Sequence, residues 1–289
     1  MDELIQRLNA ICEEQPFITS WSVKDYTFAR QAERRGAIAV PSASTRKISI
    51  MMALLRKAHA GQVDLNEPCT VTEELKHEVA SGSLRYMTTG LKITLRDAMV
   101  QMIILSDNVC TKMVLQRLSL EELNDFCQQA GMVGTTHRFI IPPLGLAYDH
   151  PAEAVTTTTP NDQVRLIDLV QAGCTDSDAA AMLGCSTTLC QRAMEVLSWQ
   201  LYRQMIPGLL PFDTKVAHKT GRARRGRMDT GLVFHQGRPL YALAAYTDNV
   251  PEVMPDGMPG YTAVFTTIAR LSRACWDILK TPEGGPGAS

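Results

Sequence analysis

No run of about eighteen apolar residues occurs in the chain, so no segment is expected to cross a bilayer as a helix. The opening, MDELIQRLNAICEEQ, has neither a basic start nor an apolar stretch and does not read as a secretory signal. Neither sign of charge is in excess: 29 basic residues face 30 acidic ones, which gives no bulk drive toward nucleic acid or an anionic membrane. The cysteines (Cys12, Cys69, Cys110, Cys127, Cys174, Cys185, Cys190 and Cys275) form no CxxC pair and no Cys/His zinc spacing. Buried free thiols are expected rather than a disulfide framework. The histidines show no HExxH, and there is no G-x-G-x-x-G and no Walker loop, so neither a metal nor a nucleotide cofactor is expected. Together these absences point to a cytoplasmic protein, and they leave its oligomeric state open.

What is present is enough apolar sequence, 45% over 289 residues, for a large core in one domain or two interleaved lobes. Leu4, Ile5, Leu8, Ile11 and Cys12 recur at helical spacing. Residues 17–40 mix β-branched and aromatic residues around a charged turn and read as short strands. STRKISIMMALLRKAHAG, from Ser44 to a glycine stop at Gly61, reads as a core helix. TLRDAMVQMIILSDN is a second, with Leu95, Ala98, Met99, Met102 and Ile103 on one face. VDLNEPCTVTEEL between them is loop-like, and further helices follow through residue 197. TKVAHKTG then reads as a strand, and TGLVF-HQGR-PLYALAAYT as a β-hairpin. Residues 262–279 form an amphipathic helix. The expected architecture is α/β (α+β): an antiparallel sheet flanked by helices, built from both termini, plus an inserted all-helical lobe. Residues 1–60 and 210–280 would form the sheet lobe, 61–209 the helical lobe, and 281–289 a disordered tail. A substrate cleft is expected between the lobes.

Three short motifs carry chemistry. Ser44 and Lys47 stand three apart on a helix face, so the amine can reach the hydroxyl; a serine–lysine pair is a nucleophile–base arrangement, and burial near other cations frees the amine of its proton. An N-cap serine followed by a solvated lysine would look the same. Ser106-Asp107-Asn108 follows a core helix, where serine can relay a proton and asparagine can bind a carbonyl; it is also ordinary helix-end chemistry. Lys219-Thr220-Gly221 ends a predicted strand, where the glycine lets a ligand lie against the edge, or where a strand simply meets a turn.

Each motif alone is weak, but their joint occurrence, order and contexts make a specific set. On these residues the chain resembles the class A β-lactamase-like serine hydrolases of the penicillin-binding protein superfamily over roughly residues 40–280. GLKITLRDAMVQMIILSDN, TTTTP at 156–160 and VAHKTGRARRGRMDTGLVF resemble the family's helix, the end of its omega loop and its Lys-Thr-Gly strand. The resemblance implies that Ser44 is the acyl-accepting nucleophile, that Lys47 activates it, and that Ser106 passes a proton to the leaving nitrogen. Asn108 would orient the substrate amide, Lys219 and Thr220 would hold a substrate carboxylate, and the N–H groups of Ser44 and Arg222 would form the oxyanion hole. The family's omega-loop glutamate is not found. Asp149 and Glu153 are the only carboxylates of that stretch, and neither sits where the glutamate should. The motifs thus imply a small-molecule substrate carrying an amide or lactam. The expected function is acylation of Ser44 by a β-lactam or related amide with slow deacylation. A D-amino-acid-type peptidase, amidase or esterase on the same scaffold, or a member that only binds, are the alternatives. Arg222, Arg224, Arg225 and Arg227 would be a solvated turn or a clamp for an anionic group. His218, on the strand face opposite Lys219, is expected to be structural. AAMLGCSTTLCQRAMEVL reads as an αα-corner rather than a DNA-binding helix-turn-helix, because no basic recognition helix follows.

Overall fold

A computed structural model describes residues 1–280; the tail expected to be disordered lies outside the described residues. The elements run α1 (Asp2–Glu13), β1 (Ile18–Asp25), β2 (Arg30–Arg34), β3 (Val40–Pro41), α2 (Lys47–His59), β4 (Pro68–Thr70), α3 (Glu73–Lys76), β5 (Lys92–Thr94) and α4 (Leu95–Ile104). Then come α5 (Asn108–Leu115), α6 (Leu120–Gln129), β6 (Thr157–Thr158), α7 (Pro160–Gly173), α8 (Ser177–Met182) and α9 (Thr187–Ser198). The chain closes with β7 (Val216–Arg222), β8 (Arg227–His235), β9 (Arg238–Asp248) and α10 (Gly260–Leu279).

The main sheet is five-stranded and antiparallel, ordered β2-β1-β9-β8-β7, so strands from both ends of the chain meet at the β1–β9 pair. The run LYALAAY can sit in β9 because both of its faces are buried. Tyr241, Leu243 and Ala245 pack with Leu4 and Leu8 of α1 and Ile268 and Trp276 of α10. Ala242, Ala244 and Tyr246 pack with the helices between the two halves of the sheet. Period-2 alternation distributes one apolar run to two cores. The β8–β9 turn uses Gln236 at φ 50° and Gly237 at φ 76°, the left-handed pair that a tight hairpin requires.

Helix α2 is the axle of the second core. Ile48 to Leu55 are all buried, and α2 packs against α4, α5, α6 and α9. Two local expectations are corrected. The stretch before Glu73 is not only loop: β4 pairs with β5. The first core helix does not start at Ser44, which lies in a 3-10 turn, Ala43–Arg46, ahead of α2. Among the described residues no helix is long and apolar enough to cross a membrane.

Candidate active site

The turn that carries Ser44 is held from two sides. Ser42 donates through N and Oγ to the Thr156 carbonyl at 2.9 and 3.0 Å, and Thr45 Oγ1 lies 2.7 Å from the Tyr246 hydroxyl of β9. Ala43 is forced to φ 43°, a left-handed conformation that costs a non-glycine residue energy and is often found beside reacting groups. The half-buried Ser44 is left facing a cleft of about 650 Å³. Its own N–H is among the first donors of the turn and has no acceptor behind it.

Lys47 opens α2 and is buried. Its Nζ donates to the Ser106 carbonyl at 2.9 Å and to Asn108 Oδ1 at 2.8 Å, and lies 3.2 Å from Ser106 Oγ. Burial, then the nearby Lys219, then Arg46, push its pKa well below that of a free lysine. A neutral amine has two N–H groups and one lone pair. The carbonyl and the amide oxygen use the two donors, and the lone pair remains for a hydroxyl proton. The direct Ser44–Lys47 hydrogen bond expected from the spacing is not formed. Asn108, with Oδ1 occupied, turns its amide N–H groups to the cleft.

Ser106, at φ 55°, is a second strained residue, at the corner between α4 and α5. Asp107 fixes that corner. Its Oδ1 accepts from Cys110 N at 3.1 Å, capping α5, and its Oδ2 accepts from Leu84 N at 2.8 Å. The Ser106 carbonyl also accepts from Ser81 Oγ at 3.0 Å, a cleft residue without any sequence signal.

β7 is the free edge of the sheet and supplies the opposite wall. Ala223 N donates to the Gly226 carbonyl and Phe234 N to the Lys215 carbonyl, so the odd-numbered residues of β7 bond inward to β8. The even-numbered ones, Thr220 and Arg222, therefore point their N–H and C=O groups outward to the cleft. Lys219 Nζ confirms the parity by donating to the outward Thr220 carbonyl at 2.8 Å. Gly221 is required for close approach: a Cβ there would lie 2.6 Å from Met228 Sδ and 3.3 Å from Ala43 Cβ. Lys219 is fully buried behind the wall, and burial brings its pKa down to about 7. On the other face His218 Nδ1 lies 3.0 Å from both Asp229 oxygens, and Asp229 accepts from Ile206 N, a structural pair as expected.

The segment from Phe139 to Val155 roofs the cleft and is tied down by arginines. Arg46, buried without a carboxylate partner, donates to the Phe139 carbonyl at 2.5 Å and to the Ile140 carbonyl; burial lowers its pKa to about 10. Arg224 donates to the Leu146 carbonyl, and Arg225 to that of His150 at 2.5 Å. The roof presents Ile141, Pro142, Pro143 and Leu144 to the cleft.

Ser44, Lys47, Ser106, Asn108, Thr220, Gly221 and Arg222 thus line one cleft, with Lys219 immediately behind. Asp149 and Glu153 do not join them. Both are exposed and outside the lining, because the arginine tethers hold the roof's backbone inward while these side chains turn to solvent. Among the described residues no carboxylate lines the cleft. Arg46 and Ser81 escaped the sequence reading, since one stabilises a loop distant in sequence and the other acts through a single hydroxyl. Among the described residues no cluster of His, Cys, Asp or Glu could hold a metal ion.

A family model described as the beta-lactamase enzyme family matches residues 3–279. Among solved structures, a β-lactamase from Sphaerobacter thermophilus is 21% identical with a TM-score of 0.81, covering 96% of this chain and 97% of that one. An ancestral (GNCA) class A β-lactamase is 21% identical with a TM-score of 0.80, covering 95% and 99%. PBP-A is 22% identical with a TM-score of 0.77, covering 95% and 96%. Among curated proteins none matches.

Proposed function

Because the chain belongs to the β-lactamase enzyme family, we propose that it is a serine hydrolase whose Ser44 opens a β-lactam or related amide and then releases the acyl group slowly. The observation that carries this reading is the Lys47 amine, buried and joined to Ser106 and Asn108 at a cleft that Ser44 faces. Neutral Lys47 takes the Ser44 proton, directly or through a water, as Oγ attacks the carbonyl carbon. The oxyanion is met by the N–H groups of Ser44 and Arg222, one from the turn and one from the outward register of β7. Ser106 gives its hydroxyl proton to the leaving nitrogen and is reprotonated by the Lys47 ammonium. The C–N bond breaks and an ester of Ser44 remains. Asn108 donates to the substrate amide carbonyl, and Thr220, with the charge of Lys219 behind it, holds a carboxylate.

Slow release follows from the lining. Hydrolysis of the ester needs a base for water, and no carboxylate lines the cleft. A mutant of PBP-A, a protein of the same fold, is described as an acyl-enzyme complex with penicillin G. Intact-protein mass spectrometry after exposure to a β-lactam panel tests the reading, with a chromogenic cephalosporin reporting turnover. The expected result is a persistent adduct of one β-lactam on the wild type and none on Ser44→Ala. Adduct on Ser44→Ala refutes the nucleophile; fast turnover without an adduct refutes slow release.

A further inference from the structure

Besides Arg46, the arginines Arg222, Arg224 and Arg227 line the cleft, and among the described residues none of the three has an acidic partner. Some guanidiniums elsewhere do find one: Arg225 pairs with Asp248, Arg117 with Glu67 and Arg270 with Glu14. Arg222 and Arg227 are also direct cross-strand partners between β7 and β8. By the parity derived above theirs is a non-hydrogen-bonded pair, the closer kind, in which side chains stand about 4.5 Å apart at Cα. Like charges placed directly opposite one another destabilise a sheet unless something neutralises them.

The pair is also pre-organised. Arg227 is 6% exposed, and its guanidinium lies 3.4 Å over the Tyr261 ring. Its Nη1 donates to the Ala223 and Gly226 carbonyls at 2.7 and 3.0 Å, which fixes the fork. Tyr261 donates its own hydroxyl to the Arg224 carbonyl at 2.8 Å, holding the turn that presents Arg224. Burial lowers the pKa of Arg227; Tyr261 works against that shift, and the nearby Arg222 charge adds to it. A fixed guanidinium fork suits a planar or tetrahedral oxyanion, and two forks facing one cleft suit two negative charges.

We infer that the Arg222–Arg227 pair, with Arg224 at its rim, is a subsite for a dianionic oxyanion on the substrate, a phosphate or a pair of carboxylates. The inference rests on the acylation reading for the substrate's other end, but the subsite can be tested without it. The first arm is thermal unfolding in inorganic phosphate against chloride at equal ionic strength. Phosphate at about tenfold its Kd should raise the midpoint by about 3 °C in the wild type and not in Arg222→Gln. Arg222 is exposed, so this variant folds, and relief of repulsion should leave it no less stable than the wild type without phosphate. The second arm compares Ser44 acylation by a penicillin bearing a side-chain carboxylate with its decarboxylated analogue. The wild type should favour the dicarboxylate about tenfold, and Arg222→Gln or Arg224→Gln should bring the ratio toward one. A phosphate response alone assigns the subsite to phosphorylated substrates, and a dicarboxylate preference alone to dicarboxylates. The inference is overturned if phosphate acts no differently from chloride and the ratio is the same in wild type and variants. Absence of acylation by every β-lactam would sink the acylation reading while the phosphate arm still decides this one.

Discussion

Replacing Lys47 by methionine separates catalysis from folding in a way the geometry makes quantitative. Methionine keeps most of the length and removes the amine. Three contacts go: the donations to the Ser106 carbonyl and Asn108 Oδ1, and the approach to Ser106 Oγ. The Ser106 carbonyl keeps Ser81 Oγ at 3.0 Å, and Ser106 Oγ can turn to water in the cleft. Only Asn108 Oδ1 loses its partner, at a cost of about 1 kcal/mol where water can reach it. Against that, a buried amine whose pKa is pushed well down by burial, then Lys219, then Arg46, is exchanged for an apolar thioether, which removes its desolvation cost. The two effects oppose, and the folding free energy should change by less than about 2 kcal/mol. Acylation should fall about 10²- to 10⁴-fold, the contribution of a positioned general base. The assay is the second-order rate of labelling by a fluorescent penicillin, with urea unfolding on the same preparations. The wild-type rate should also rise with pH through the lowered Lys47 pKa and then level, while the variant shows no such limb. A Lys47→Met rate within tenfold of the wild type, with the limb intact, refutes the lysine as base.

Asp149→Asn and Glu153→Gln, singly or together, should leave the half-life of the acyl-enzyme unchanged, because neither side chain lines the cleft; a lengthened half-life in pulse-chase mass spectrometry would return a carboxylate to the site. Asp107→Ala removes a helix cap and leaves Leu84 N–H unpaired in the interior, and should cost about 2–4 kcal/mol in urea unfolding; a loss under 1 kcal/mol would contradict the assigned bonds. Burial, then the nearby Arg46, hold His137 neutral, with its pKa lowered to about 3. The unfolded chain binds that proton near pH 6.5 and the folded one does not, so stability is lost as pH falls from about 6.5 toward 3, by about 1 kcal/mol per unit. His137→Gln should flatten that slope, and an unchanged slope would show that His137 does not cause it. Lys219 works in the alkaline range: its folded pKa of about 7 lies below the unfolded value, so stability should rise with pH above about 7. Lys219→Met should remove that rise, and its persistence in the variant would assign it elsewhere.

The sheet was legible because its signals are local. The turn at Gln236-Gly237, the apolar run of β9 and the helical stripe on Leu4, Leu8 and Ile11 each announce an element within a dozen residues. The three motifs were legible for the same reason. Hidden from the sequence were features set by contacts between distant segments. The two-residue β3–β6 bridge joins Val40 to Thr158, and no propensity encodes it. The 3-10 turn at Ser44 arises because Ser42 and Thr45 are pinned to Thr156 and Tyr246, which overrides the helical pattern that begins at the serine. The outward register of Arg222 depends on which β7 residues bond to β8, and alternation alone leaves that choice open.

The roof shows how the same residue types serve two ends. Four arginines, Arg46, Arg138, Arg224 and Arg225, donate to backbone carbonyls of residues 139–155, so the segment is held largely by its backbone. Those that reach the cleft are largely apolar, Ile141 through Leu144. Among the described residues the cleft is therefore lined by guanidiniums and the Lys47 amine, and by no carboxylate. If Ser44 acts as proposed, such a cleft would favour an anionic acyl donor and the oxyanion formed on attack, and would offer the resulting ester no carboxylate to activate water. On the proposed mechanism, persistence of the acyl-enzyme would then follow from the lack of a lining carboxylate to activate water, and not from a defective Ser44.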